Sequence, residues 1–118
     1  MDLKEVMEQK VFAVAGNTLD KEKYACKIKD GLIKNGYTAY GVGKELDSFN
    51  DIDEDIDVID LCINPVRGLE LMKECKKDFK CIVIQPGAES DELKAYLDEK
   101  EMPYIESCIL VGLSLYCR

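Results

Sequence analysis

Val11-Phe12-Ala13-Val14-Ala15-Gly16-Asn17-Thr18 is the stretch that decides the fold. Five apolar residues in a row follow a charged leader and stop at a turn cluster. A strand with one wet face would alternate apolar and polar residues. An unbroken run therefore suits a central parallel strand covered on both sides.

Outward from this run, short apolar segments alternate with longer amphipathic ones, the pattern of strands joined by crossover helices. A helix is predicted from Lys21 to Asn35, with Tyr24, Ile28 and Leu32 on one face, Thr18 or Asp20 as cap, and Gly36 ending it. Tyr37–Val42 reads as a second strand, closed by Gly43-Lys44. The acidic stretch 46–57 reads as a short or irregular crossover. The third strand is predicted over Asp57–Ile63, and a helix capped by Asn64 with Pro65 in its first turn follows, its inward stripe being Leu69, Met72 and Cys75. Cys81–Ile84 reads as the fourth strand. Ser90 caps a third helix whose Leu93 and Leu97 face inward, with Asp91 and Glu92 at its positive dipole end. Pro103-Tyr104-Ile105 is a short fifth strand, and Cys108–Tyr116 a final apolar helix. The expected fold is a single α/β domain over 1–118: a doubly wound, mostly parallel, five-stranded Rossmann-like sheet in three layers.

Composition narrows the chemistry. The chain has 118 residues, enough for one domain, and a formal net charge of −8. That charge opposes nonspecific adhesion to nucleic acid or to an anionic membrane, so neither is expected as a partner. There is no histidine, which removes the usual general base, the commonest zinc ligand and every Ser-His or Cys-His pair. Cysteines stand at 26, 62, 75, 81, 108 and 117 without a C-x-x-C pair, so no zinc ribbon or thioredoxin-type motif is present. The N-terminal Met-Asp-Leu-Lys-Glu-Val lacks the apolar core of an export signal, and no apolar run approaches membrane-spanning length. A cytoplasmic protein with free, mostly structural thiols is expected.

Ligands of an open parallel sheet bind at the carboxyl ends of its strands. Those ends are Gly16-Asn17-Thr18, Gly43-Lys44, Asn64-Pro65-Val66-Arg67 and Gln85-Pro86-Gly87. They offer backbone N–H groups, amides and two cations to an anionic ligand, with a phosphate at the N-terminus of the first helix and the Thr18 hydroxyl as a further donor. The fingerprint G-x-G-x-x-G is absent. Lys44 stands where NAD-binding folds place a carboxylate, which favours a phosphorylated ribose, as in NADP or the 3′-phosphate of coenzyme A. The run Asp51–Asp57 is no EF-hand: glycine is missing at the sixth position and Cys62 occupies the twelfth. No metal site is expected. Cys108, before Ile109-Leu110-Val111, is a candidate reactive thiol at a helix start, with a packing cysteine as the other reading.

Together, Val11-Phe12-Ala13-Val14-Ala15-Gly16, Gly36-Tyr37, Asp57-Val58-Ile59-Asp60, Ile84-Gln85-Pro86-Gly87-Ala88 and Cys108-Ile109-Leu110-Val111 resemble the small stand-alone CoA-binding domain family, related to the CoA-binding half of succinyl-CoA synthetase. The resemblance spans Lys10 to about Leu113. It implies non-enzymatic binding of CoA or an acyl-CoA, with Gly16, Asn17 and Thr18 at the diphosphate, Gly43 and Lys44 near the adenosine, Asn64, Pro65 and Arg67 walling the site, and Gln85 and Gly87 on its far side. The chain departs from the family in a shorter first loop and in Gly43-Lys44 where Asn-Pro is usual. A thiol-responsive regulator in which Cys108 is capped by CoA or glutathione, and an NADP-type nucleotide binder, remain as alternatives.

Overall fold

In the computed structural model, which describes residues 1–117, the apolar run is β1 (Val11–Gly16) and it lies inside the sheet. It pairs on one side with β2 (Thr38–Gly43) and on the other with β3 (Val58–Leu61). Beyond β3 come β4 (Cys81–Ile84) and β5 (Tyr104–Glu106), giving the order β2-β1-β3-β4-β5 with every pairing parallel.

Parallel neighbours need crossovers, and helices on both faces supply the cover that β1 requires. Ala13, Ala15, Ile59, Leu61, Ile82 and Ile84 face one layer, built from α3 (Pro65–Glu74) and α4 (Asp91–Glu99) through Leu71, Met72, Leu93 and Leu97. Phe12, Val14, Val58 and Val83 face the other, built from α1 (Leu3–Val6), α2 (Tyr24–Lys34) and α5 (Ile109–Tyr116) through Val6, Ile28, Leu32, Ile109 and Leu113. Each fully buried aliphatic or aromatic side chain stabilises by roughly 1.5–3 kcal/mol.

The β2–β3 crossover has a single 3-10 turn, Phe49–Asp51, instead of an α-helix. Its acids are solvated, yet Phe49, Ile52 and Ile56 among them are buried and staple the segment to the α3–α4 layer. Ser48 and Asp51 cap the turn reciprocally.

Four expectations need correction. The first crossover helix starts at Tyr24 rather than Lys21, because Asn17 Oδ1 accepts from the N–H groups of Leu19 and Asp20, and Asp20 in turn accepts from those of Glu22 and Lys23, holding the stretch in turns. Neither Thr18 nor Asp20 caps it; the cap is Lys23, without a side-chain bond. Tyr24 is consequently 67% exposed rather than inward, while Ala25, Cys26, Ile28 and Leu32 are buried. On α3 the buried face centres on Gly68, Leu71 and Met72, with Leu69 and Cys75 only partly covered. A Cβ on Gly68 would meet Ile63 Cγ2 at 3.5 Å, an ordinary packing contact.

Candidate functional site

The chain leaves β1 toward β2 and leaves β3 toward β4, so the winding reverses between β1 and β3 and a crevice opens at their carboxyl ends. A cleft of about 270 Å³ lies there, lined by Gly16, Asn17, Gly43, Lys44, Ile63, Asn64 and Arg67. Gly16 and Gly43 are register partners on the rim, with φ of +147° and +119°. A side chain on Gly16 would collide with the Cys62 carbonyl oxygen and stand 2.7 Å from Ala25 Cβ. Glycine there keeps the backbone bare and lets α2 close on the sheet.

The strand-end residues divide into those that face the cleft and those that build it. Lys44 and Arg67 reach it as cations, Arg67 with only a distant partner in Glu70 at 3.9 Å. Asn64 caps α3, its Oδ1 accepting from Arg67 N at 2.9 Å. The helix N-terminus bordering this cleft is therefore that of α3, whereas α2 begins at Tyr24 beside a different cavity. Thr18 is buried, and its hydroxyl donates to Glu45 at 2.6 Å instead of facing a ligand. Gln85 is buried too, its Oε1 accepting from Ile109 N at 2.9 Å. Pro65 lines a separate groove with Val66 and Leu69, and Gly87 donates its N–H to Glu89.

Charge placement sets this cleft apart. Glu45, adjacent in sequence to Lys44, is turned away and clamped by Lys29 at 2.8 Å and by Thr18. Burial pushes its carboxyl up, but these two donors outweigh that effect and hold it below the usual glutamate range. Among the described residues, no carboxylate lines the cleft at the switch point. Two grooves of about 380 Å³ each elsewhere are lined by Glu45, Asp51 and Asp53, and by Asp91 and Glu92, and so repel anions.

A second chamber, of about 250 Å³, opens at the same sheet edge on the α2–α5 side, lined by Tyr24, Cys62, Gln85, Pro86 and Cys108. Below it in β3 lies Asp60, fully buried, with neither carboxyl oxygen hydrogen-bonded. Its register partners are Val14 and Val83, so desolvation acts without relief and pushes its pKa well above the ordinary aspartate value. The neutral acid is the form this environment favours. Asp60 and Cys62 project to the same face, being two residues apart at the end of one strand. In the sequence Asp60 stands out only as part of the third-strand pattern. An acid inside the apolar run Val58–Leu61 was the signal available.

Residues 10–114 match the family described as CoA binding domain. The chain belongs to that family. Among solved structures it is similar to a conserved hypothetical protein from Pyrococcus furiosus, at 29% identity and TM-score 0.79, covering 87% of this chain and 98% of that one. A hypothetical protein from Pyrococcus horikoshii OT3 superposes at TM-score 0.82 with 22% identity, covering 96% and 88%. A protein from Thermus thermophilus does so at TM-score 0.79 with 20% identity, covering 97% and 98%; these two show the fold alone. No protein of curated function matches. The CoA-binding domain so identified has, among its described residues, no helix long and apolar enough to cross a membrane and no cluster of three metal-ligating side chains.

Proposed function

We propose that this CoA-binding domain holds coenzyme A or an acyl-CoA at the β1/β3 switch point as a binder and does not catalyse its turnover. One observation carries the reading: in an acidic chain, the cleft at the switch point is lined by Lys44 and Arg67, by bare glycine backbone and by no carboxylate. Family membership supports CoA as the ligand. The diphosphate lies at the rim of Gly16, Asn17 and Asn64, where backbone N–H groups and the α3 N-terminus favour anions. Lys44 takes the 3′-phosphate of the adenosine, and Arg67 flanks the pyrophosphate. The absence of histidine and of any acid–base pair in the cleft suits a binder.

Calorimetry with CoA tests the reading; absence of binding at millimolar concentration would refute it. Lys44→Ala should weaken CoA by about tenfold, the loss of one exposed charge contact of ~1.4 kcal/mol, and should leave dephospho-CoA nearly unchanged. Equal losses for both ligands would remove Lys44 from the 3′-phosphate. NADP binding as tightly as CoA would make the site one for phosphorylated adenosines in general.

A further inference from the structure

We propose that the chamber beside the nucleotide cleft receives the sulfur end of the ligand, and that Cys108 exchanges with a CoA-type disulfide to hold one CoA as a mixed disulfide. This rests on the nucleotide reading and extends it to the other end of the molecule.

The two spaces share one rim. Ile63 lines the cleft and Cys62, the preceding residue, lines the chamber, so only the end of β3 separates them. A ligand anchored by its phosphates at Lys44 and Arg67 needs only to cross that strand end to bring its sulfur beside two thiols. The exposed Tyr24 ring and Pro86 supply an apolar wall for the connecting arm.

The two thiols are not equivalent. Cys108 is partly exposed, is the N-cap residue of α5 and makes no side-chain cap bond. Its position is fixed by Gln85, whose Oε1 holds the next N–H, that of Ile109. Burial, the largest influence on Cys62, pushes its thiol up from the ordinary cysteine value. Thiolate is the attacking species in exchange, and burial disfavours it at Cys62. The unpartnered Asp60, buried on the same face beneath Cys62, is a second sign that this end of the sheet is built around something other than apolar packing.

The step balances as thiol–disulfide exchange. The Cys108 thiolate attacks one sulfur of CoA disulfide; the Sγ–S bond forms, the ligand's S–S bond breaks, and one CoA leaves as a thiolate. That thiolate takes up the proton that Cys108 released, and the number of disulfides is unchanged. Cys62, held as a thiol, does not displace the second CoA, so the mixed disulfide persists.

Intact-mass measurement of the reduced full chain incubated with CoA disulfide or glutathione disulfide tests this. One CoA adduct is expected, mapping to Cys108, formed at least about tenfold faster than the glutathione adduct because the nucleotide cleft raises the local disulfide concentration. Titration after denaturation should then find five of the six thiols free. The Cys108→Ser protein should bind CoA in calorimetry and gain no adduct. Equal rates with both disulfides, modification at another cysteine, or four free thiols without added mass would overturn the proposal. So would CoA binding by both proteins with no adduct on either, and that outcome would leave the nucleotide reading intact. Failure of both proteins to bind CoA would overturn the two together.

Discussion

Replacing Asp60 with valine should stabilise this protein, and the gain should grow with pH. Asp60 is fully buried in β3 between Val14 and Val83, with both carboxyl oxygens unpartnered. Valine matches its size closely and matches both neighbours in character. Removing an unsatisfied buried polar group recovers roughly 1–3 kcal/mol, so Asp60→Val should already be more stable than the parent near pH 4. The pH term adds to this. Desolvation raises the folded-state pKa well above the unfolded value of about 3.9. Above that unfolded pKa the unfolded chain has released the proton and the folded chain still holds it. Wild-type stability is then fully present below about pH 4 and is lost as pH rises toward the folded pKa, by up to ~1.4 kcal/mol per pH unit. For a chain of this length, each kcal/mol corresponds to roughly 3–6 °C in Tm.

The assay is guanidinium unfolding of wild type, Asp60→Val and Asp60→Asn from pH 4 to pH 8. Asparagine removes the titration and keeps the unsatisfied polar group, so it should lose the pH slope while retaining most of the offset from valine. Parallel pH profiles for wild type and Asp60→Val would refute a carboxyl kept neutral by burial. A less stable valine variant at every pH would show that the carboxyl has a partner in the folded protein.

Gly16→Ala should cost at least about 2–3 kcal/mol, because φ of +147° and the collision with the Cys62 carbonyl combine strain with overpacking; thermal melts measure it, and a loss below 0.5 kcal/mol would show that the β1–α2 approach is loose. Asp57→Asn should change the acid limb in the opposite sense to Asp60. Burial pushes the Asp57 carboxyl up, but the N–H groups of Val11 and Lys10 and the Lys80 ammonium bring it below its ordinary value. Its contribution is therefore present above about pH 3.9 and lost as pH falls through the folded pKa. The variant should lose about 1–2 kcal/mol at pH 7 and converge on wild type in acid; a difference constant from pH 2 to pH 7 would contradict this.

The strands and their order along the chain were legible because their signals are local. Val11–Ala15 and Cys81–Ile84 are continuous apolar runs, Val58–Leu61 is one broken only by Asp60, and turn residues follow each; Ser90 and Asn64 cap the helices that follow as their side-chain chemistry demands. The start of α2 was not legible, since Lys21-Glu22-Lys23 suits a helix by composition and is excluded by turn bonds to Asn17 and Asp20. Site residues split the same way. Gly16, Asn17, Gly43, Lys44, Asn64 and Arg67 meet in one cleft because strand order alone brings the strand ends together. Thr18 and Gln85 are consumed by partners 27 and 24 residues away, Glu45 and Ile109, which no local pattern announces.

Two features conflict with their surroundings: cations exposed in a cleft of an acidic chain, and a carboxyl buried without a partner in a core strand. Both lie toward the carboxyl-terminal edge of the same sheet, on either side of the end of β3. Elsewhere local and global preferences agree: the apolar runs are inside, and even the acidic crossover buries Phe49, Ile52 and Ile56. Proteins that are consistent across levels tend to break those rules where they work. The net charge of −8 is then compatible with an anionic ligand. Long-range repulsion from distant acids is screened over about 8 Å at physiological ionic strength, whereas Lys44, Arg67 and the α3 N-terminus act at contact. Glu45, the nearest acid in sequence, is turned away and neutralised by Lys29. Burial pushes the Asp60 carboxyl well above the ordinary aspartate value and so favours its neutral form at this edge. Removing the Lys29 clamp by Lys29→Ala would leave Glu45 with the Thr18 hydroxyl but no counter-ion beside Lys44, so CoA affinity should fall in that variant without any lost ligand contact.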